Sequence, residues 1–160
     1  MKYATLLLLA VGLVACDSTP PDGPPTIAYG RDECIECGMI VTEERHAAAM
    51  RAIVEGEQRD LYFDDIGDMI EHERNAAGLQ VLRRYVHDFN TAQWVDADAA
   101  WFIKSDQIRT PMGFGLLAFA EESSARAAGG AGNKAPLRLA ALKTQSNAGT
   151  KPCCTGEEDS

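Results

Sequence analysis

Two runs rich in apolar residues, residues 46–54 (HAAAMRAIV) and 60–63 (DLYF), flank the polar EGEQ and predict a hairpin. A helix follows. Asp65 is placed as its N-cap, Asp68 suits the positive N-terminal end, Ile66, Met69 and Ile70 form an apolar stripe, and Gly78 stops it. Residues 81–89 (VLRRYVHDF) then put Val81, Tyr85, His87 and Phe89 on one face and Leu82, Val86 and the charged residues on the other, which predicts a strand.

The second half repeats the order. Residues 100–104 (AWFIK) and 115–119 (GLLAF) predict strands, 121–128 a helix, and 137–142 (LRLAAL) a closing strand. The entries into the two helices are alike, since YFDDIGDM and AFAEESSA each pass from an aromatic strand end to an acidic first turn. The expected architecture is two β-β-α-β units, of fold class α+β.

The ends carry no such pattern. One basic residue, Lys2, precedes an apolar run from Leu6 to Val14, too short for a membrane span and suited to a signal peptide over residues 1–15. The stretch Leu13-Val14-Ala15-Cys16 resembles the lipobox of bacterial lipoproteins, in which the chain is cut before the Cys and that Cys is lipidated. Asp17 resembles the signal that retains some lipoproteins on the inner membrane. Residues 17–25, DSTPPDGPP, cannot bury apolar surface, so residues 16–29 are expected to be a lipidated Cys and tether. Residues 30–142 have the size of one domain, and the polar residues 143–160 read as a mobile tail carrying a Cys pair. A formal charge of −9 argues against nucleic acid and anionic lipid as partners. An extracytoplasmic, periplasmic address with a lipid anchor at Cys16 is the expectation.

With Cys16 assigned to the lipid, the remaining four of five Cys form two close pairs, Cys34/Cys37 and Cys153/Cys154, in a compartment that permits disulfides. The first pair lies in CIECGMI, residues 34–40. A c-type haem needs His after the second Cys, where Gly38 stands. A zinc ribbon needs a second pair with the same spacing, whereas Cys153 and Cys154 are adjacent. A thioredoxin-like centre places its CxxC at a helix N-terminus, and the residues after Cys37 do not read as a helix. A structural disulfide remains open. So does a soft-metal seat: in an extended segment Cys37 and Met39 would point to one side, and a thiolate paired with a thioether selects Cu(I) over Zn²⁺, Mg²⁺ or Ca²⁺. A Met beside a Cys is otherwise a core filler.

Residues 31–120 resemble the NosL family, lipoproteins associated with maturation of the copper centres of nitrous oxide reductase. The resemblance rests on CGMIV at 37–41, YFDDIGDM at 62–69, WVDADAAWFI at 94–103 and PMGFGLLAF at 111–119. It implies a Cu(I) carrier built of two β-β-α-β repeats, related in shape to the organomercurial lyase core, whose Cys-x-Met motif falls on Cys37 and Met39. A Cu(I) site needs a third donor. Met112, set by Pro and Gly neighbours in a loop, is the first candidate, and a core-capping Met is its other reading. His87 is the second candidate, against its reading as a hydrogen-bonded core histidine. His46 and His72 are expected to be exposed and without a role. Cys34 either adds a second thiolate or forms a disulfide with Cys37 that switches binding off. The pair Cys153/Cys154 either passes copper on or forms a vicinal disulfide. Asp64 and Asp65 read as helix caps and poor Cu(I) ligands.

No catalytic set of residues can be picked out, so an enzyme is not expected. The function expected is a membrane-anchored Cu(I) chaperone, with the nitrous oxide reductase apoprotein or its copper-maturation machinery as recipient. Two rivals are a thiol-disulfide redox lipoprotein using Cys34/Cys37 and an anchored structural module.

Overall fold

The computed structural model describes residues 23–129 and 134–144. Its first unit is an antiparallel hairpin, β1 (Ala48–Val54) and β2 (Glu57–Phe63), then helix α1 (Ile66–Asn75) and strand β3 (Gln80–His87). The hairpin turn is tighter than EGEQ suggests. Glu55 and Gly56 both have positive φ (54° and 83°), the geometry of a two-residue turn that matches strand twist, so Val54 pairs with Glu57. β2 therefore starts three residues before the apolar run, at Glu57, Gln58 and Arg59, which are exposed and polar and so show no apolar pattern.

The four-stranded sheet has the order β2-β1-β3-β4, all antiparallel. β1 lies inside it, and the run Ala48, Ala49, Met50, Arg51, Ala52 is buried on both faces, which explains its small residues. Arg51 is tolerated there because its guanidinium makes a paired contact with Asp60, Nε to Oδ1 at 2.7 Å and Nη2 to Oδ2 at 3.1 Å. Its third nitrogen donates to the carbonyl of Gly23 at 3.1 Å. Pro25 and Ile27, ahead of residue 30, are buried as well.

β4 (Trp94–Asp96) has no counterpart in the expected elements, since three residues are too few to display a period. Phe89, placed in a strand with His87, leaves the ladder. Its amide donates to Ala118, and the parallel bridge Asp88↔Ala118 joins the first sheet to the second.

The second unit pairs β5 (Trp101–Lys104) with β6 (Leu116–Phe119), followed by α2 (Glu122–Ala128). The closing strand expected over 137–142 is cut to one residue. Leu137 exchanges two 2.8 Å backbone hydrogen bonds with Phe102, and the chain then turns into helix α3 (Leu139–Thr144). Leu139 and Leu142, three apart, bury one helical face, a spacing that would put them on opposite faces of a strand. Even so, the second unit keeps the order of the first: β5 lies between β6 and Leu137 as β1 lies between β2 and β3. Arg74 of α1 donates to the carbonyls of Leu142 and Lys143, and Lys143 pairs with Glu73, so α3 is tied to α1 by charge as well as packing.

Candidate metal centre

Residues 34–39 form a small loop closed at its base. Glu33 bridges Ile40, Cys34 N–H donates to the Met39 carbonyl at 2.7 Å, and Gly38 N–H donates to the Cys34 carbonyl at 2.8 Å. Gly38 has φ 75°, a conformation that glycine adopts without the Cβ penalty, and it reverses the chain after Cys37. The extended segment that would put Cys37 and Met39 on one side is therefore absent. Cys34 points inward, 1% exposed; Cys37 is half-buried against the core; Met39 stands at the rim, 43% exposed, with Ile35 and Ile40 also exposed around it.

Two contacts seat this loop on the entry to α1. Ile35 N–H donates to the Tyr62 carbonyl at the end of β2, and Glu36 meets His72 Nδ1 of α1 at 2.8 Å. His72, expected to be exposed without a role, packs its ring on Phe63 and steadies the cysteine loop. His46, also expected to be exposed, is 6% exposed beside Phe89, and its Nδ1 has no hydrogen-bond partner among the described residues.

At the start of α1, Asp65 is the N-cap and accepts from Gly67 N–H, as expected. Asp64, read as a second cap, instead faces the cysteine loop. Asp64, just ahead of the extended N-cap, and Asp68, in the first turn, both turn a carboxylate toward the cysteine loop. The Cys37 thiol donates to Asp64 Oδ1 at 3.6 Å and the Cys34 thiol to Asp68 Oδ2 at 3.3 Å. Ligand atoms of Cys34, Cys37, Asp64 and Asp68 all lie within 4.8 Å of one another, a group able to hold a metal ion. The carboxylates are the members that sequence reasoning missed, and the only signal for them was a pair of acids bracketing a capping residue.

The electrostatics keep protons on this cluster. Burial pushes the Cys34 thiol well above the usual thiol range and the Cys37 thiol up to about 11. Burial, followed by the neighbouring Asp64, pushes the Asp68 carboxyl up to about 7. Thiols held protonated and shielded from water are weak nucleophiles. A soft cation that replaces a thiol proton offsets the charge of that thiolate inside a low dielectric, so metal binding here is linked to proton release. Both cysteines are free thiols.

Met112 arrives from the other half of the chain. Its amide donates to Asp65 Oδ2 at 3.1 Å, and its side chain packs partly buried against the core that also receives Cys37. His87 is not brought to the cluster. It is 1% exposed, Nε2 meets the Tyr29 hydroxyl at 2.8 Å, Nδ1 meets the Ala92 carbonyl at 2.8 Å, and Trp94 stacks at 3.7 Å between ring centroids. With both nitrogens engaged, it has the surroundings of a hydrogen-bonded core histidine, and burial holds its pKa below the ordinary value. Cys16, Cys153 and Cys154 lie outside the described residues. Among the described residues, no helix is long and apolar enough to cross a membrane.

The NosL family model matches residues 26–132. The chain is 27% identical over 136 residues to the copper-binding lipoprotein NosL of Stutzerimonas stutzeri, covering 78% of this chain and 70% of that protein. Its fold superposes with a TM-score of 0.61 on the crystal structure of the copper chaperone NosL from Shewanella denitrificans, at 19% identity, covering 81% of this chain and all of that one.

Proposed function

The chain belongs to the NosL family, and we propose that it carries Cu(I) as cargo, bound by the thiols of Cys34 and Cys37 with the thioethers of Met39 and Met112. The observation that supports this most is the convergence of the buried Cys34 thiol and the half-buried Cys37 thiol in one cluster that Cys37 leaves open to solvent. Sulfur of both kinds favours a cuprous ion. Openness matters because transfer by ligand exchange requires the recipient's donors to enter before the carrier's leave. The relative from Stutzerimonas is named copper-binding and the one from Shewanella a copper chaperone, which accords with a carrier rather than a catalyst.

The finer reading places the protein on the extracytoplasmic face, lipidated at Cys16, handing copper to the nitrous oxide reductase apoprotein or its maturation machinery. Family membership supports the recipient, and the lipobox-like Leu13-Val14-Ala15-Cys16 supports the anchor. The chain between Cys16 and Gly23 can span no more than about 25 Å, at about 3.4 Å per residue, so the recipient would be met close to the membrane. A thiol-disulfide redox role is less well supported, because burial raises both thiols where such a centre needs them lowered.

The test is anaerobic titration of the reduced protein with Cu(I) against a competing chelator. Retention near one equivalent is expected, with loss in Cys37→Ser. Failure of the reduced protein to hold cuprous ion against a mild chelator overturns the reading.

A further inference from the structure

Asp65 does more than a helix cap requires. Serine, threonine or asparagine would serve equally at that position, since a cap needs one oxygen to accept one or two amides of the first turn. Asp65 is 0% exposed and uses both oxygens. Oδ1 accepts from Gly67 N–H at 3.0 Å, while Oδ2 accepts from the Thr110 hydroxyl at 2.5 Å and from Met112 N–H at 3.1 Å. Three donors converge on one carboxylate. An asparagine there would turn an amide N–H₂ toward donors on one side, so the choice of residue answers to the distant loop and not to the helix.

The loop is made to be held. Thr110 Oγ1, having donated to Asp65, accepts from Gly115 N–H at 3.0 Å, and Gly113 N–H donates to the Thr110 carbonyl at 2.9 Å. A second contact presses it onto the same helix turn. A Cβ on Gly67 would lie 1.9 Å from the Phe114 ring, so only glycine leaves room for that ring there. Adjacent side chains of one dipeptide thus grip two different loops: Asp64 faces the Cys37 thiol, and Asp65 takes the Met112 amide.

From this geometry we infer that Asp65 is a positioning residue for the copper site, latching the Thr110–Gly115 loop to the start of α1 so that the Met112 thioether is held ready beside Cys37. The inference rests on the Cu(I)-carrier reading and goes past it, since Asp65 itself donates nothing to the ion. Without the latch, Met112 would have to be ordered each time copper binds, and that ordering is subtracted from affinity.

The experiment compares the full chain with Asp65→Asn, Met112→Leu and the double variant, all reduced and checked for native circular dichroism. Cu(I) affinity is read by chelator competition, and the sulfur donors are counted by X-ray absorption. Asp65→Asn is expected to weaken Cu(I) roughly tenfold, as a lost donor of about 1.4 kcal/mol would. It should also remove one thioether from the copper shell, and add nothing in the Met112→Leu background. Losses that add in the double variant, or an unchanged sulfur count in folded Asp65→Asn, overturn the inference. If Asp65→Asn does not fold, Thr110→Val removes one arm of the latch and leaves the cap. A smaller loss of the same kind is then expected, and no loss overturns the inference. Full affinity in Met112→Leu would defeat the Met112 part of the carrier reading and the latch with it. Full affinity in Asp65→Asn beside a weakened Met112→Leu would defeat the latch alone.

Discussion

Cys34 and Asp68 meet inside the protein, thiol to carboxylate at 3.3 Å, with neither side chain more than 3% exposed. Two groups that ordinarily ionise are thus stored together in neutral or half-neutral form, at the innermost point of a cluster whose other end, at Cys37, is open. A buried pair of this kind is stable only while protons or a cation balance its charge.

Substituting the sulfur donors one at a time should rank them by depth. Cys37→Ser is expected to abolish competitive Cu(I) retention. Met39→Leu, at the exposed rim, should weaken it at least tenfold, about 1.4 kcal/mol. Chelator competition with the reduced protein gives both numbers, and Met39→Leu with wild-type affinity would remove Met39 from the coordination set.

The thiols should resist alkylation when copper is absent. Cys37 is held up to about 11, so at pH 8 its thiolate fraction is smaller than that of an ordinary thiol by roughly a hundredfold or more. Peptide-level mass spectrometry of iodoacetamide labelling over time should show Cys34 slowest, then Cys37. Asp64→Asn, which removes a carboxylate raising the Cys37 pKa, should speed Cys37. Rapid labelling of Cys37 at neutral pH would instead favour the redox rival.

Stability of the apo-protein should depend on Asp68 with a defined sign. Its folded pKa, up to about 7 through burial and then Asp64, lies above the unfolded value near 3.9. The folded state therefore binds the proton more tightly. Stability from that proton is fully present below about pH 4 and is lost as pH rises through 7. His87, with its pKa lowered by burial, acts in the opposite direction and loses stability as pH falls below about 6.5. The clean readout is the difference in urea midpoint between wild type and Asp68→Asn. That difference should shift against the wild type from pH 4 to pH 8, and a flat difference would contradict the burial assigned to Asp68.

Gly67→Ala should destabilise the fold by about 1–3 kcal/mol, the usual range for overpacking, because its Cβ meets the Phe114 ring. Combining it with Phe114→Leu, which thins the obstruction, should recover part of the loss. Urea denaturation of the single and double variants measures this, and additive losses would show that the ring is not the obstacle.

Local chemistry carried far in the sequence. The Asp65 cap, the stripe Ile66, Met69 and Ile70, and the hairpin around Glu55-Gly56 depend on neighbours within a few positions, and each is where its pattern placed it or within three residues. The strand pair at 101–104 and 116–119 was legible for the same reason. Leu137 to Leu142 was not, because Leu137, Leu139 and Ala141 alternate as in a strand while Leu139 and Leu142 are spaced as on a helix face. The helix prevails where Arg74 and Glu73 of α1 receive its end.

The site divides in the same way. Composition and motif order singled out Cys34, Cys37, Met39 and Met112 as soft donors and supplied the family resemblance. Which atoms meet was decided by contacts across 27 to 47 residues: Asp64 with Cys37, Asp68 with Cys34, Asp65 with Met112. Gly38 turned Met39 away from the direction an extended strand would give it, and the sheet buried His87 between Tyr29, Ala92 and Trp94. Side-chain type is a property of one position and can be read there. Convergence, burial and the proton affinities they produce belong to pairs of positions, and only the packed chain brings those pairs into one low-dielectric space.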